Sequence, residues 1–295
     1  MNVSECDTKR IPLCFERHAR VTTIIELEPT ASELKYAMAI THDHCVGPVD
    51  KEFMFGGVGL GAGLAALERA IDQPVILVSA HFLSFARPLQ VLNLDVCIHK
   101  AGRYINQCTV DGTVDSETLF RLTASVGARP DEVSGQWQNM PLVPPPEDCP
   151  VGQHWRRGSA SIHNQLDVRV ARGNYGRDRA GKSDPEARLH LWVRPKSGEF
   201  VTAPFLAIVA DLIPGGVGNA LGMNAGGNSL DITLRLTNAP PTEWILVEVC
   251  IQAISSGLVH GIANLYNENG DLLGMASQSL ILRIHPPTDR VQSNI

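Results

Sequence analysis

The sequence of 295 residues predicts an α+β fold, in which antiparallel strands wrap around buried helices. Three observations lead to this class. A glycine-rich, apolar segment is typical of a buried helix, four strand-like segments follow it with short turns, and the second half of the chain repeats this order. Short turns favour antiparallel pairing, because parallel neighbours need a crossover of about a dozen residues or more.

The predicted central helix lies in the segment Phe53 to Ile71. Four glycines open this segment and an almost uninterrupted apolar run follows, so we expect the helix to be buried nearly all round. Charge occurs only near its far end, in Glu68 and Arg69, and Gln73-Pro74 then ends the helical pattern.

Strand patterns lie on both sides of this helix, and β-branched or alternating apolar residues mark them. The predicted strands are Val21 to Leu27, Leu34 to Ile40, Val75 to Phe85, Leu89 to His99, Tyr104 to Val110, Thr118 to Val126, Gln165 to Val170 and Leu189 to Val193. Turns are expected at Arg87-Pro88, Gly102 and Asp111-Gly112. The polar loop Arg172 to Glu186 is expected to be mobile.

The second half of the chain repeats the first. The segment VCI occurs at Val96-Cys97-Ile98 and again at Val249-Cys250-Ile251, so the offset is 250 − 97 = 153. At this offset the helical segment falls on Phe205 to Asn224 and the strand patterns coincide without a gap, which favours a tandem repeat. Asp211 then takes the position of Val58.

A change of composition separates the two repeats. Proline, glutamine and acidic residues are frequent from Arg129 to Gly152, which is typical of a linker lying over the surface. We therefore predict an N-terminal repeat over residues 1–128, a proline-rich linker over 129–160 and a C-terminal repeat over 161–295.

The composition limits the cellular location and the binding partners that we expect for the protein. The seven cysteines form no CxxC pair, which favours reduced thiols in a reducing compartment. The net charge of -6 argues against broad nucleic-acid binding. A polar start of the chain, which is expected to be disordered, and the lack of an apolar run of about 18 residues predict no membrane association and a cytoplasmic location.

Several familiar motifs are incomplete. The cluster Gly57-Val58-Gly59 lacks the third glycine and the parallel βαβ unit of a dinucleotide site, so most of these glycines are expected to allow close packing of the helix. His42-Asp43-His44-Cys45 lacks two further ligands at a metal-site spacing, so we expect a solvated loop there. The GxSxG elbow of serine hydrolases is missing from the sequence.

Three polar residues of the second half are candidates for chemistry. Asp211 interrupts an apolar run, which fits either a helix-terminal aspartate or a desolvated carboxylate suited to general-base work. Gln278 lies among small and apolar neighbours of a strand, where its amide needs partners. Ser229 opens a strand and by itself is typical of a turn.

Short blocks in both halves resemble the acyl-CoA thioesterase II family and related thioesterase-like proteins. In the first half these are FGG before the apolar helix, Phe85-x-Arg87-Pro88 and Gly102-Arg103; in the second half they are ADL at 210–212, SLD at 229–231, EW at 243–244, NENGDLLGMASQ at 267–278 and Arg283. The resemblance covers roughly residues 34–128 and 187–284. It implies a double hot-dog fold, two tandem repeats in which an antiparallel sheet wraps a long helix.

The resemblance also implies hydrolysis of acyl-CoA thioesters to free acid and CoA, as in lipid metabolism. The family's catalytic aspartate, Thr/Ser and glutamine fall on Asp211, Ser229 and Gln278, so we expect Asp211 to deprotonate a water that the other two hold. Gly56, Gly57 and Val58 are expected to contact the substrate, and backbone N–H groups near Gly56 and Gly57, or an equivalent donor, are expected to stabilise the oxyanion. No metal or redox cofactor is expected, and association into a homo-oligomer is left open.

For the anionic CoA head, the basic loop carrying Arg169, Arg172, Arg177, Arg179 and Lys182 is a candidate, with plain solvation as its alternative. Three departures from the family pattern concern the substrate preference: Val58 replaces a glutamine, Ile232 a histidine and Ser279 an acidic residue. Because Val58 stands in the slot of Asp211, one active site per chain is predicted.

Three other functions remain open. A protein of this fold could bind acyl thioesters without hydrolysing them. An enoyl-CoA hydratase-like enzyme would use a D-x-N-P-x-H motif, which the sequence lacks. A structural or interaction role would leave Asp211 as a helix cap.

Overall fold

The computed structural model describes residues 24–130, 133–152, 160–176, 181–237, 240 and 242–285. The first half forms helix α1 (Gly56–Ile71) and strands β1 (Glu28–Pro29), β2 (Lys35–Ala39), β3 (Cys45–Val46), β4 (Phe53–Met54), β5 (Val75–Phe82), β6 (Val91–Lys100), β7 (Ile105–Val114) and β8 (Glu117–Gly127). The second half forms helices α2 (Ala203–Ala210) and α3 (Ile213–Leu221) and strands β9 (Leu166–Arg172), β10 (Arg188–Pro195), β11 (Ala225–Leu236), β12 (Ile245–Ser255), β13 (Leu258–Tyr266) and β14 (Leu272–Ile284).

One antiparallel sheet joins the two halves. Across the described residues its strand order is β1-β2-β6-β7-β8-β5-β11-β14-β13-β12-β10-β9. The order on one side of the β5–β11 pair mirrors the order on the other, so the halves are related by an approximate two-fold axis. The side chains of Ser79 and Thr233 hydrogen-bond across this pair. The predicted α+β class with two tandem hot-dog repeats is confirmed.

Helix α1 is buried almost all round, as the sequence predicts. Every residue from Gly57 to Leu64 is buried, and a Cβ at Gly61 would lie 2.7 Å from the backbone oxygen of Pro204 in the first turn of α2. The glycines therefore allow the two helices to approach closely. The helix begins at Gly56 instead of Phe53, because Phe53–Met54 pair with β3.

The corresponding segment of the second half is broken into two helices. Pro214 has no N–H to donate to the carbonyl of Ala210, and its ring would clash with that carbonyl, so α2 ends at Ala210. By length and composition the stretch Ala203–Leu221 could cross a membrane, with a mean hydropathy of 1.4, which corrects the expectation that no such run exists. Since 78% of the window is buried, it is the core element of this half.

Two predicted features of the strands are wrong. In the described part of Val21 to Leu27 the chain forms no strand, and Ile25 instead packs on Gly61 of α1. Asp111-Gly112 is not a turn: it lies within β7, and the chain turns at Asp115-Ser116, where both residues have positive φ. A side chain at Gly112 would overlap the ring of Phe120, so this glycine is required by packing inside a strand.

The repeat is present, but its gapless alignment is wrong. The β-bulge between Ile98 and Lys100 recurs between Ile251 and Ala253, which keeps the offset of 251 − 98 = 153. The bulge between Val75 and Leu77 recurs between Ser229 and Asp231, and here the offset is 229 − 75 = 154. The elements are therefore shifted by one residue relative to each other.

This shift changes the first-half counterpart of each candidate residue. Ser229 corresponds to Val75, and Gln278 corresponds to Ala124 at the same offset of 278 − 124 = 154. Before the central helix, the pair Lys35–Asp95 recurs as His190–Glu248, so the offset there is 190 − 35 = 155. Asp211 thus falls on Gly56 or Gly57, not on Val58. All of these counterparts lack a polar side chain.

The predicted solvated loop His42-Asp43-His44-Cys45 is also corrected. His42–His44 form a 3-10 turn, and both His44 and Cys45 are buried. The ring of His44 bonds to the backbone oxygen of Ile24 at 2.8 Å, while burial lowers the pKa of His44 and raises that of Cys45 to about 12. Within the described ranges, no group of three His, Cys, Asp or Glu side chains is placed to hold a metal.

The proline-rich segment lies on the outer face of the second half. Met140 and Val143 pack with a buried cluster that includes Trp192, Trp244 and Tyr266. The indole N–H of Trp192 donates to the backbone oxygen of Pro144 at 2.9 Å. This packing covers strands β10, β12 and β13 on the side that faces away from the helices.

Candidate active site

Asp211 lies in the break between α2 and α3, where it caps the C-terminus of α2. Its side chain is only 2% exposed. One carboxylate oxygen, Oδ2, accepts the backbone N–H of Gly57 at 2.7 Å. The other, Oδ1, accepts from the amide nitrogen of Gln278 at 2.5 Å and from the hydroxyl of Ser229 at 3.3 Å. Three elements from both repeats therefore hold one carboxylate.

A β-bulge aims Ser229 at this carboxylate. Ile232 and Leu234 of β11 face the core, so strict alternation would turn Leu230 inward and Ser229 outward. The bulge between Ser229 and Asp231 inverts the alternation, and Leu230 is instead 38% exposed. Ser229 consequently lies on the inner face of the sheet, close to the end of α2.

Gln278 completes the cluster from the neighbouring strand β14. Its side chain is 3% exposed, and its Nε2 group donates to both Asp211 and the Oγ atom of Ser229, the latter at 2.8 Å. The amide oxygen Oε1 is buried and has no hydrogen-bond partner in the described part of the chain. A buried amide oxygen of this kind is a ready acceptor for a small donor such as water.

The environment of Asp211 alters its acidity. Burial disfavours the charged carboxylate and raises the pKa of Asp211 to about 6, while the hydrogen bonds from Gln278, Gly57 and Ser229 act in the opposite direction. Near neutral pH the group is ionised and yet more basic than an ordinary aspartate. This combination suits a general base.

The three residues predicted to bind substrate have different surroundings. The N–H of Gly57 is donated to Asp211, so it is not free for an oxyanion. Val58 is fully buried, and its N–H donates to Phe55, which places it away from the polar cluster. Gly56 lies at the start of α1, where a Cβ would come within 2.8 Å of Asp211 and 3.2 Å of the Phe82 ring. Among the three, Gly56 is the one left to offer its N–H.

Two arginines of the basic loop suggested for the CoA head are paired with carboxylates. Arg172 bonds to Glu186 at 2.7 Å, and Arg169 lies 3.3 Å from Asp167. Arg177 and Arg179 lie outside the described residues. The charges of Arg169 and Arg172 are therefore balanced by nearby carboxylates, whereas Lys182 is exposed and forms no ion pair among the described residues.

Sequence reasoning missed two features of the site. The hydrogen bond from Gly57 to Asp211 was missed because a glycine N–H carries no signal of its partner. The inward turn of Ser229 was missed because the bulge is visible only in the pairing with β14. The sequence does contain one hint: Leu230 breaks the alternation of β11.

Comparison with known proteins relates the chain to thioesterases. A family model for the acyl-CoA thioesterase C-terminal domain matches residues 144–282. No curated protein sequence matches the chain at a significant level.

Several solved structures resemble the whole chain. A candidate thioesterase from Novosphingobium aromaticivorans is 33% identical, with a TM-score of 0.78, over 87% of this chain and 98% of that one. A hot-dog protein of unknown function from Alicyclobacillus acidocaldarius is 19% identical, with a TM-score of 0.76, over 89% and 97%. The acyl-CoA thioesterase II TesB2 from Mycobacterium marinum is 20% identical, with a TM-score of 0.67, over 90% and 98%. The last two comparisons concern the fold alone.

Proposed function

The chain belongs to the acyl-CoA thioesterase II family of thioester hydrolases, and from this premise we propose that it hydrolyses acyl-CoA with a water activated by Asp211. The observation that carries the proposal is the meeting of Asp211, Ser229 and Gln278 in one buried hydrogen-bonded cluster. A carboxylate, a hydroxyl and an amide can together bind and orient one water molecule.

The proposed reaction begins with proton transfer from water to Asp211. The oxygen of the water forms a bond to the thioester carbonyl carbon, and the carbonyl oxygen becomes an oxyanion. The N–H of Gly56 at the start of α1 supports the oxyanion, because backbone donors at a helix N-terminus favour developing negative charge. The tetrahedral intermediate then expels CoA as a thiolate, which takes up the proton from Asp211 and leaves the free acid.

Ser229 and Gln278 position the base and the water. Gln278 donates to both partners through Nε2, which fixes its amide plane and leaves Oε1 to accept a hydrogen bond. Ser229 donates to Asp211 and holds the carboxylate in one orientation. The acyl group of the substrate is proposed to be aliphatic, since only 5% of residues are aromatic and the core around the helices is mainly aliphatic. We also propose a cytoplasmic location, because the seven cysteines form no CxxC pair.

Assay of the purified protein for release of free CoA tests the proposal directly. We expect turnover of a series of acyl-CoA esters, with a maximum at one range of chain length. Equilibrium binding of the same esters should be measured in parallel. Saturable binding without CoA release would favour the alternative, an acyl-thioester binding protein of the same fold.

The pH dependence of hydrolysis should report the ionisation of Asp211. Because the base must be deprotonated and its pKa is about 6, we expect kcat/KM to fall about tenfold per pH unit below 6 and to level off above it. A pH–rate profile measured with an acyl-CoA whose acyl chain carries no ionisable group checks this. A profile that is flat from pH 5 to 8 would contradict a general-base role for Asp211.

A further inference from the structure

A separate cavity is lined by residues that do not belong to the polar cluster. Its volume is about 180 Å³, and both repeats contribute to its wall. Val75 comes from the first repeat, and Leu206, Leu236 and Leu273 come from the second. Among the described residues that line it, Glu68 is the sole charged one. The cavity is thus apolar with a single carboxyl group.

A counterpart of this cavity exists beside the start of α1. That cavity has a volume of about 410 Å³. Three lining residues of the larger cavity have a lining residue of the smaller cavity 154 positions later, which is also the offset between β5 and β11. They are Val49, Glu52 and Pro88 in the larger cavity and Ala203, Leu206 and Thr242 in the smaller. The two cavities therefore share three positions at this offset.

An additional helical turn brings Glu68 to the smaller cavity. Helix α1 ends at Ile71 and α3 ends at Leu221, which is 221 − 71 = 150 residues later. If the two helices ended at equivalent positions, this difference would be 154. Helix α1 therefore extends four residues further than α3. Glu68 lies on this turn and accepts the backbone N–H of Val75, the counterpart of Ser229. Burial raises the pKa of Glu68 to about 7.

Two polar groups can donate hydrogen bonds into this cavity. The first is the protonated form of Glu68, which is substantially populated near neutral pH. The second is the hydroxyl of Thr202, which accepts from the N–H of Phe205 and keeps its own hydrogen. By contrast, the hydroxyls of Thr237 and Thr242 donate to backbone oxygens.

We propose that this cavity is a second, non-hydrolytic binding site for a short aliphatic carboxylic acid, whose carboxylate bonds to Glu68 and Thr202 and whose chain packs on the leucines. The choice of an acid rests on the proposed function, because such an acid is the product of the hydrolysis. An apolar cavity of about 150 Å³ holds benzene, so 180 Å³ suits a chain of about four to six carbons.

The same site cannot carry out the hydrolysis proposed for the polar cluster. The counterparts of Ser229 and Gln278 are Val75 and Ala124, which have no group to hold a water. Glu68 is bonded to a backbone N–H instead of to a serine and an amide. The cavity is therefore expected to bind the acid without hydrolysing a thioester. Its occupancy would rise with the concentration of the hydrolysis product.

Methyl NMR with hexanoate as the probe tests this site. The methyl resonances of Val75 and Leu206 should shift saturably in the intact protein. Thr237 is exposed at the rim of the cavity, so Thr237→Trp should block entry and remove at least about 90% of the shift at the same hexanoate concentration. The matched control is Leu83→Trp, at the equivalent exposed position of the other half (237 − 83 = 154), which should leave these shifts unchanged.

The dependence on pH gives a second readout. Since the protonated form of Glu68 donates to the carboxylate, hexanoate affinity should fall about tenfold per pH unit above 7. Glu68→Gln keeps a donor and should bind with little dependence on pH. The other charged group near the wall is Glu268, which bonds to the hydroxyl of Thr242.

The outcomes separate this inference from the proposed function. Shifts that are absent in the intact protein, or equal in Thr237→Trp, would overturn the second site even if CoA release is observed. Blocked shifts in Thr237→Trp together with no CoA release would support the site and refute the hydrolytic function alone.

Discussion

Replacing Asp211 by asparagine is expected to lower kcat/KM for acyl-CoA hydrolysis by about 10²- to 10⁴-fold, the usual contribution of a general base. Asparagine keeps the size of the side chain and can still accept the N–H of Gly57, but it cannot take a proton from water. Steady-state assay of CoA release measures the loss. Asp111→Asn is the matched control, because Asp111 pairs with Arg121 on the exposed side of β7 and should retain full activity.

Stability separates this catalytic role from a helix-cap role for Asp211. The folded-state pKa of about 6 lies above that of an ordinary aspartate, so ionisation of Asp211 opposes folding as the pH rises towards 6 and remains unfavourable above it. Asparagine removes this cost, and we expect Asp211→Asn to raise the free energy of unfolding by about 1–3 kcal/mol at pH 8. A destabilised variant that retains activity would show that the aspartate is only a cap.

Replacing Gly57 by alanine is expected to damage both stability and catalysis. A Cβ at this position would lie 2.7 Å from the backbone oxygen of Ile208 and 3.0 Å from the Cβ of Asp211. Since neither atom belongs to a flexible side-chain end, α1 must move away from α2, at a cost of about 1–3 kcal/mol in the free energy of unfolding. The displaced N–H would also release Asp211, and a shift of about 1 Å can cost about 10²-fold in rate.

Denaturant unfolding and the CoA-release assay together check the effect of Gly57→Ala. Gly226→Ala is its control, because a Cβ there would meet only the backbone oxygen of Pro214 at 3.9 Å and the backbone has no positive φ. We expect that variant to match the parent protein in both measurements. Equal behaviour of the two variants would mean that close packing at Gly57 is not required.

The fold was largely predictable because its signals are local. The apolar run of α1 and the alternation of β5 to β8 are properties of neighbouring residues, and both were located within a few positions. In the described part of Val21 to Leu27, residues 24–27, the predicted strand is wrong because burial against a helix selects the same apolar residues as burial in a sheet does. Gly112 was misassigned as a turn because its function, making space for Phe120, depends on a residue from another strand.

The candidate residues Asp211, Ser229 and Gln278 were selected from short motifs, and the structure brings them together. Their geometry was not predictable, since it depends on long-range pairing. Pro214 signals a helix break, but the sequence does not show which groups reach Asp211. The sequence shows Glu68 only as a charge near the end of α1. Its cavity is not visible there because the cavity is formed mainly by residues of the second repeat.

The hydrogen bond from Gly57 to Asp211 has a consequence for how the two copies depend on each other. The copy without the proposed catalytic side chains supplies a main-chain donor to Asp211 in the other copy. Removing the first repeat would therefore take away a contact to the base as well as half of the sheet. After duplication, such a chain can lose the chemistry of one copy, but it cannot dispense with that copy.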